Sequence, residues 1–225
     1  MHQVVIRSDH ITEIVDRVLA NCKNVLPKRR YIISLAGIPG AGKSTLSSLV
    51  AQQLNQTVKT IVLPQDGFHL YRWQLNDMPD SEEAIRRRGA PFTFNAKAFV
   101  QLISQLNDPV YSQHIINAPS FDHKLKDPIE DDIHIEPDVQ VIIIEGNYVS
   151  LRDPDWRDIH QYVDESWFIQ TDIEVVRDRI IKRHLAAGIA NNLEEATERA
   201  DGSDLANAKY ILAHSAPADV VIVTP

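Results

Sequence analysis

Gly37-Ile38-Pro39-Gly40-Ala41-Gly42-Lys43-Ser44-Thr45 satisfies the pattern G-x-x-x-x-G-K-[ST]. The chemistry this spacing serves is polyphosphate binding. Successive backbone N–H groups curl around the phosphates, and Lys43 reaches the β/γ oxygens. Ser44 sets its hydroxyl on Mg²⁺, and a following helix aims its positive N-terminus at the anion. Two carboxylates at the ends of apolar runs belong with this loop. Asp66 follows "TIVLPQ" and precedes Gly67, and Glu145 closes "VIIIE" before Gly146. One carboxylate can hold Mg²⁺, directly or through water, because the ion prefers few carboxylates and several waters. The other can accept the proton of an attacking hydroxyl. Glu145 suits the metal and Asp66 the base. The bland readings are a glycine-rich turn with a stray lysine, a strand-end acid facing solvent, and an ordinary Asp-Gly turn.

These residues need elements that carry them to one edge. "RRYIISLAG" reads as a strand running into the loop, and residues 44–55 read as the helix leaving it, with Leu46, Leu49, Val50 and Leu54 on one face. "TVKTIVLPQ" and "VQVIIIEG" are further strands, the second apolar enough to be buried on both faces. "HIINAPSFD", "VDESWFIQ" and the closing "DVVIV" add three more. Helical spacing recurs over 9–20, 95–107 and 193–213, with a short helix over 81–88 after Asp80, which has capping-box spacing to Glu83. Thr171 and Glu174 give the same signal ahead of "DIEVVRDRIIKRHLAAG", which Gly188 closes. Alternating strands and helices predict an α/β fold on a mostly parallel central sheet with helices on both faces. Ligands in such sheets collect outside the carboxyl ends of the strands, which is where the loop, Asp66 and Glu145 would meet.

The 225 residues, 44% apolar and 24% charged, suit a single globular domain over 1–225. No run is long enough to span a bilayer, and "MHQVVIRSDH" lacks a signal-peptide core. Cys22 is the one cysteine, which suits a reducing compartment; a cytoplasmic location is expected. A net charge of −8, without a basic stripe interleaved with aromatics, argues against nucleic-acid and membrane partners. A homodimer is left open. GTPase motifs N-K-x-D and D-x-x-G do not occur, and a motor would normally need a longer chain.

"GIPGAGKST", "QDGFH", "RRRGAPFTFN", "APSFDH" and "VIIIEGNYVSL", in this order over roughly residues 30–212, resemble the P-loop kinases grouped with uridine kinase, phosphoribulokinase and bacterial-type pantothenate kinase. The chain is most similar to the nucleoside/nucleotide kinase-like, fructose-kinase-like branch. The resemblance implies ATP and Mg²⁺ as cofactors and transfer of the γ-phosphoryl group to a hydroxyl of a small molecule. On that pattern Asp66 matches the catalytic base and Glu145 the acid of the Walker-B-like strand. Phe121-Asp122 runs into His123-Lys124-Leu125-Lys126, unlike the usual uridine-kinase continuation. "GAPFTF" looks more like the pantothenate-kinase side, with Asn95 where that pattern often has Asp. Nucleoside, sugar, pantothenate-like and glycerate-like acceptors all stay open.

Arg179 and Arg183 lie four apart on one predicted helical face, with Arg177 and Lys182 nearby. The resemblance places a lid over about 173–205, and arginines on a mobile helix suit the charge of phosphoryl transfer. Solvated surface arginines are the alternative. The acceptor segment is expected over about 66–125. His69, Tyr71, Phe121 and His123 are candidates to line its pocket, Arg88 to reach an anionic or polyhydroxy substrate, and Gly67 to let the chain turn beneath the acceptor. Asn207 matches the segment after the lid. The competing class is a nucleotide-binding regulatory module with no acceptor. Segment 66–94 discriminates: a kinase needs it as a pocket wall, a switch as an exposed interface.

Overall fold

Aliphatic and β-branched runs supply the strands of a central sheet in the computed structural model, which describes residues 3–224. The strands are β1 (Val4–Arg7), β2 (Tyr31–Gly37), β3 (Thr60–Pro64), β4 (Ile116–Asp122), β5 (Asp127–Ile135), β6 (Val141–Gly146), β7 (Glu165–Gln170) and β8 (Val220–Val223). The helices are α1 (Ile11–Cys22), α2 (Lys43–Leu54), α3 (Arg72–Asn76), α4 (Ser81–Arg86), α5 (Ala96–Asn107), α6 (Ile173–Ala186), α7 (Leu193–Arg199) and α8 (Leu205–His214). Six strands form one sheet in the order β1-β8-β7-β2-β6-β3, parallel at every pairing. All seven residues of β2 are buried, as are Val141–Ile144 of β6, so helices cover both faces of the sheet's centre. No helix among the described residues is long and apolar enough to cross a membrane.

Local chemistry sets the helix starts. Asn95 caps α5 by accepting from Ala98 N (3.1 Å), and Asp80 caps α4 by accepting from Glu83 N (3.1 Å). Glu83 does not complete that capping box, because its carboxylate takes the Arg86 guanidinium instead. At α6 the cap is Asp172, accepting from Glu174 N, and not Thr171, whose hydroxyl donates to Ala41 O of the glycine-rich loop. Gly188 lies one residue past the C-cap with φ of +63°, the left-handed ending that favours glycine.

Three sequence expectations change. β1 and β5 carry no signal that the hydrophobic pattern detects. The strand in "HIINAPSFD" leaves the central sheet and pairs with β5 as an antiparallel hairpin. Leu49, assigned to the buried face of α2, is exposed on the side of a cleft.

Candidate active site

Strand register assembles the site. β2 and β6 pair so that Ala36 faces Gly146, and β3 and β6 pair so that Pro64 faces Glu145. The loop after β2, the turn after β3 and the end of β6 therefore share the carboxyl edge, as an open α/β sheet requires. A cleft of about 750 Å³ opens there.

Gly40 and Gly42 hold φ of +79° and +98°, left-handed values that a side chain would strain. The loop closes as Gly42 becomes the N-cap of α2. Pro39, Gly40, Ala41, Gly42, Lys43, Ser44 and Thr45 line the cleft, while Gly37 and Ile38 lie beneath it and offer carbonyls. Lys43 Nζ donates to Gly37 O (2.9 Å), Ile38 O (3.0 Å) and Asn147 Oδ1 (2.7 Å). Burial pushes the Lys43 ammonium down to about 8; Glu145 and Asp66 oppose that shift and Arg183 adds to it.

Ser44 Oγ donates to Glu145 Oε1 (2.9 Å), and Glu145 Oε2 is buried with no hydrogen-bond partner. Burial raises the Glu145 carboxyl above its usual range. An orphaned carboxylate oxygen beside a P-loop serine is a donor set that fits Mg²⁺, which Ser44 and Glu145 would hold together.

Asp66 sits in the one-turn 3₁₀ segment Gln65–Phe68 and is exposed to the cleft. Its seat is built from beneath. Gln65 is buried, its Oε1 accepts from Tyr148 N (3.0 Å), and a Cβ on Gly146 would strike that amide oxygen at 2.1 Å. Gly67 is required for a different reason from the turn expected of it: a Cβ there would meet Pro119 O at 2.0 Å. The turn carrying Asp66 thus rests directly on the backbone of the β4–β5 hairpin. His69 packs between the rings of Phe94 and Phe121, its Nδ1 donates to Asp66 O (2.8 Å), and burial lowers its basicity. The carbonyl can only accept, which fixes the hydrogen on Nδ1.

The acceptor candidates divide. His69 and Arg88 line the cleft, whereas Tyr71, Phe121 and His123 do not. Tyr71 donates to Glu130 Oε1 (2.6 Å) on the hairpin, and Phe121 stacks behind His69, with His123 against its far side. Arg88 turns inward to Leu70 O (3.0 Å) and Asp127 Oδ1 (2.9 Å), with its guanidinium 5.8 Å from the Phe121 ring. Arg86 and Arg87 stay outside, paired with Glu83.

Of the arginines on α6, Arg179 and Arg183 reach the cleft and Arg179 donates to Gly40 O (3.4 Å). Arg177 is committed to Asp201 (2.5 and 2.8 Å), and Lys182 is a surface residue outside the cleft lining. Asn207 also lines the cleft and donates to Gly89 O (3.5 Å). Sequence reading passed over Asn147, Gln65 and Asp204. Asn147 and Gln65 flank motif residues, a signal that could have found them; Asp204 lies in the same segment after the lid as Asn207, and a π-helical turn over Ala200–Asp204 carries it.

A parallel central sheet, a glycine-rich loop feeding a helix, and a half-buried lysine with a serine and two acids at one edge define a P-loop nucleotide-binding site. Residues 32–224 match the phosphoribulokinase/uridine kinase family, and the chain belongs to it. It is 35% identical over 198 residues to the Schizosaccharomyces pombe protein named "putative uridine kinase C227.14", covering 87% of this chain and 83% of the other. It is 41% identical over 158 residues to the "ATP-dependent kinase-like protein notR'" of Aspergillus versicolor, covering 70% of this chain and 92% of that one. A crystal structure from Silicibacter sp. TM1040, a "putative fructose transport system kinase", superimposes with a TM-score of 0.84 at 34% identity, over 94% of this chain and 98% of the other.

Proposed function

We propose that the protein transfers the γ-phosphoryl group of ATP to a hydroxyl of a small molecule. One observation carries this reading: segment 66–94, which a regulatory switch would leave as an open surface, walls the cleft beside the phosphate loop through Asp66, His69, Arg88, Gly89 and Phe94. The Silicibacter relative's name, "putative fructose transport system kinase", is consistent with such a pocket.

The loop from Gly37 to Thr45 cradles the phosphates, and Lys43 exchanges its internal carbonyl partners for β/γ oxygens. Mg²⁺, when bound, neutralises charge on the phosphates, and Ser44 and Glu145 are the residues to hold it. Asp66 accepts the proton of the acceptor hydroxyl as that oxygen bonds to the γ-phosphorus. The bond to the bridging oxygen breaks, and ADP leaves with the electron pair. Arg179 and Arg183 offset the charge developing on the transferred oxygens. Asp66→Asn is expected to lower acceptor-stimulated ADP release about 10²–10⁴-fold while ATP affinity is retained. Near-wild-type turnover in that variant would remove Asp66 from the chemistry.

A further inference from the structure

We infer that Asp204 is a second acceptor-binding carboxylate, lining the same cleft as Asp66, and that the acceptor is an uncharged compound bearing at least two hydroxyls. This rests on the kinase reading and narrows its substrate.

Both aspartates line the same cleft. Asp204 is delivered by the π-helical turn Ala200–Asp204 between α7 and α8. Its Oδ2 accepts from His184 Nε2 (2.8 Å), and His184 is itself buried, with Nδ1 lacking any partner. The imidazole therefore spends its one protein hydrogen bond on orienting this carboxylate. Arg183 Nη2 stands 3.9 Å from Oδ1, beyond hydrogen-bond reach, so Oδ1 keeps its lone pairs for a ligand.

An ionised carboxylate only accepts hydrogen bonds, so what faces Asp204 must donate. Asp66 likewise needs a donor, the hydroxyl to be phosphorylated. The cation at this end of the cleft does not offset them: Arg88 is already neutralised by Asp127 and bonded to Leu70 O. Arg179 stands on α6 beside the phosphate loop, and Arg183, one turn on, faces Asp204 at 3.9 Å. His69, Asn207 and Phe94 complete the acceptor end with polar and aromatic surface. A carboxylate or phosphate on the acceptor would meet two acids, and the one guanidinium within reach, Arg183, already faces Asp204. A polyol, sugar or nucleoside ribose would give one hydroxyl to each aspartate.

The test compares matched pairs differing in charge: glycerol with glycerate, erythritol with erythronate, ribose with ribose 5-phosphate. ADP release is measured with acceptor varied at saturating ATP, then with ATP varied, for the wild-type chain and Asp204→Asn. This variant keeps an oxygen for His184. The neutral member should be favoured in kcat/KM. Asp204→Asn should raise the KM of the neutral acceptor about 10- to 100-fold, the cost of losing a hydrogen bond to a charged group, and leave the KM for ATP in place. Preference for the acidic members would overturn the inference without any variant being needed. So would a variant that shifts only the KM for ATP, which would assign Asp204 to Arg183 and the nucleotide. Turnover of neither charge class above an Asp66→Asn blank would remove the kinase reading, and this inference with it.

Discussion

Lys43 is surrounded by oxygens that can accept from its ammonium, yet burial holds its pKa near 8. The three internal acceptors are neutral dipoles, and they return less than the water they replace. A bound polyphosphate supplies full negative charge and so favours the protonated form. Nucleotide binding should therefore draw the Lys43 pKa upward and take up a proton from solution near and above pH 8. The sign follows: affinity for ATP is fully present below about pH 8 and falls as the pH rises beyond it, by about tenfold per unit at most. Arginine stays charged over this range, so Lys43→Arg should give a flat profile even if its overall affinity is lower. Calorimetric titration with ATP between pH 7 and 9.5, in buffers of differing ionisation heat, reads both the affinity and the proton count. A wild-type profile as flat as the variant's would mean that Lys43 is fully charged before the nucleotide arrives.

At the scale of elements, the turn that carries Asp66 is clamped between β6 and the β4–β5 hairpin. Gly67 makes that clamp, since the nearest hairpin atom, Pro119 O, is closer than any Cβ could tolerate. Neither side of the contact is a flexible side chain, so Gly67→Ala must displace backbone. The expected cost is about 1–3 kcal/mol, as for other overpacked sites, which is roughly 2–12 °C in Tm for a chain of this size. Turnover should fall further than stability explains, because Asp66 moves with the turn; unchanged turnover and Tm would contradict the clamp. The same elements show how far the sequence could be read. The phosphate loop, Asp66 and Glu145 were legible because each sits at the end of a sheet strand where an apolar run stops at a glycine; β2 and β6 are buried on both faces, and β3 is a half-buried edge strand. β5, "DPIEDDIHI", was not legible: Pro128 and Ile135 are its buried residues, and its outward positions are mostly acidic. β1 is a four-residue edge strand with Ile6 alone buried, too short for a pattern. Missing β5 had a consequence at the site. Tyr71 and Arg88 both turn toward it, to Glu130 and Asp127, and a pocket drawn without the hairpin credits those side chains to the substrate.

For the molecule as a whole, the cleft joins residues from opposite ends of the chain. Asp9, just past β1, and Thr224, just past β8, line it together with the phosphate loop, and β1 is held in the sheet through β8. α1 packs on α2, the helix that starts from the loop, and its Arg17 pairs with the buried Glu165 of β7. Nucleotide binding should thus report on the entire sheet and not on a detachable lobe. We expect a single cooperative unfolding transition in which circular dichroism and tryptophan fluorescence coincide, as a chain with one core gives. ATP with Mg²⁺ at a hundredfold excess over Kd should stabilise that transition by about 2.7 kcal/mol. This corresponds to roughly 5–10 °C in Tm for a chain of this length. Lys43→Met, which leaves the phosphates without their cation, should lose most of the shift while still unfolding in one step. Two separable transitions, of which ATP moves only one, would instead divide the chain into a nucleotide-binding unit and an independent remainder.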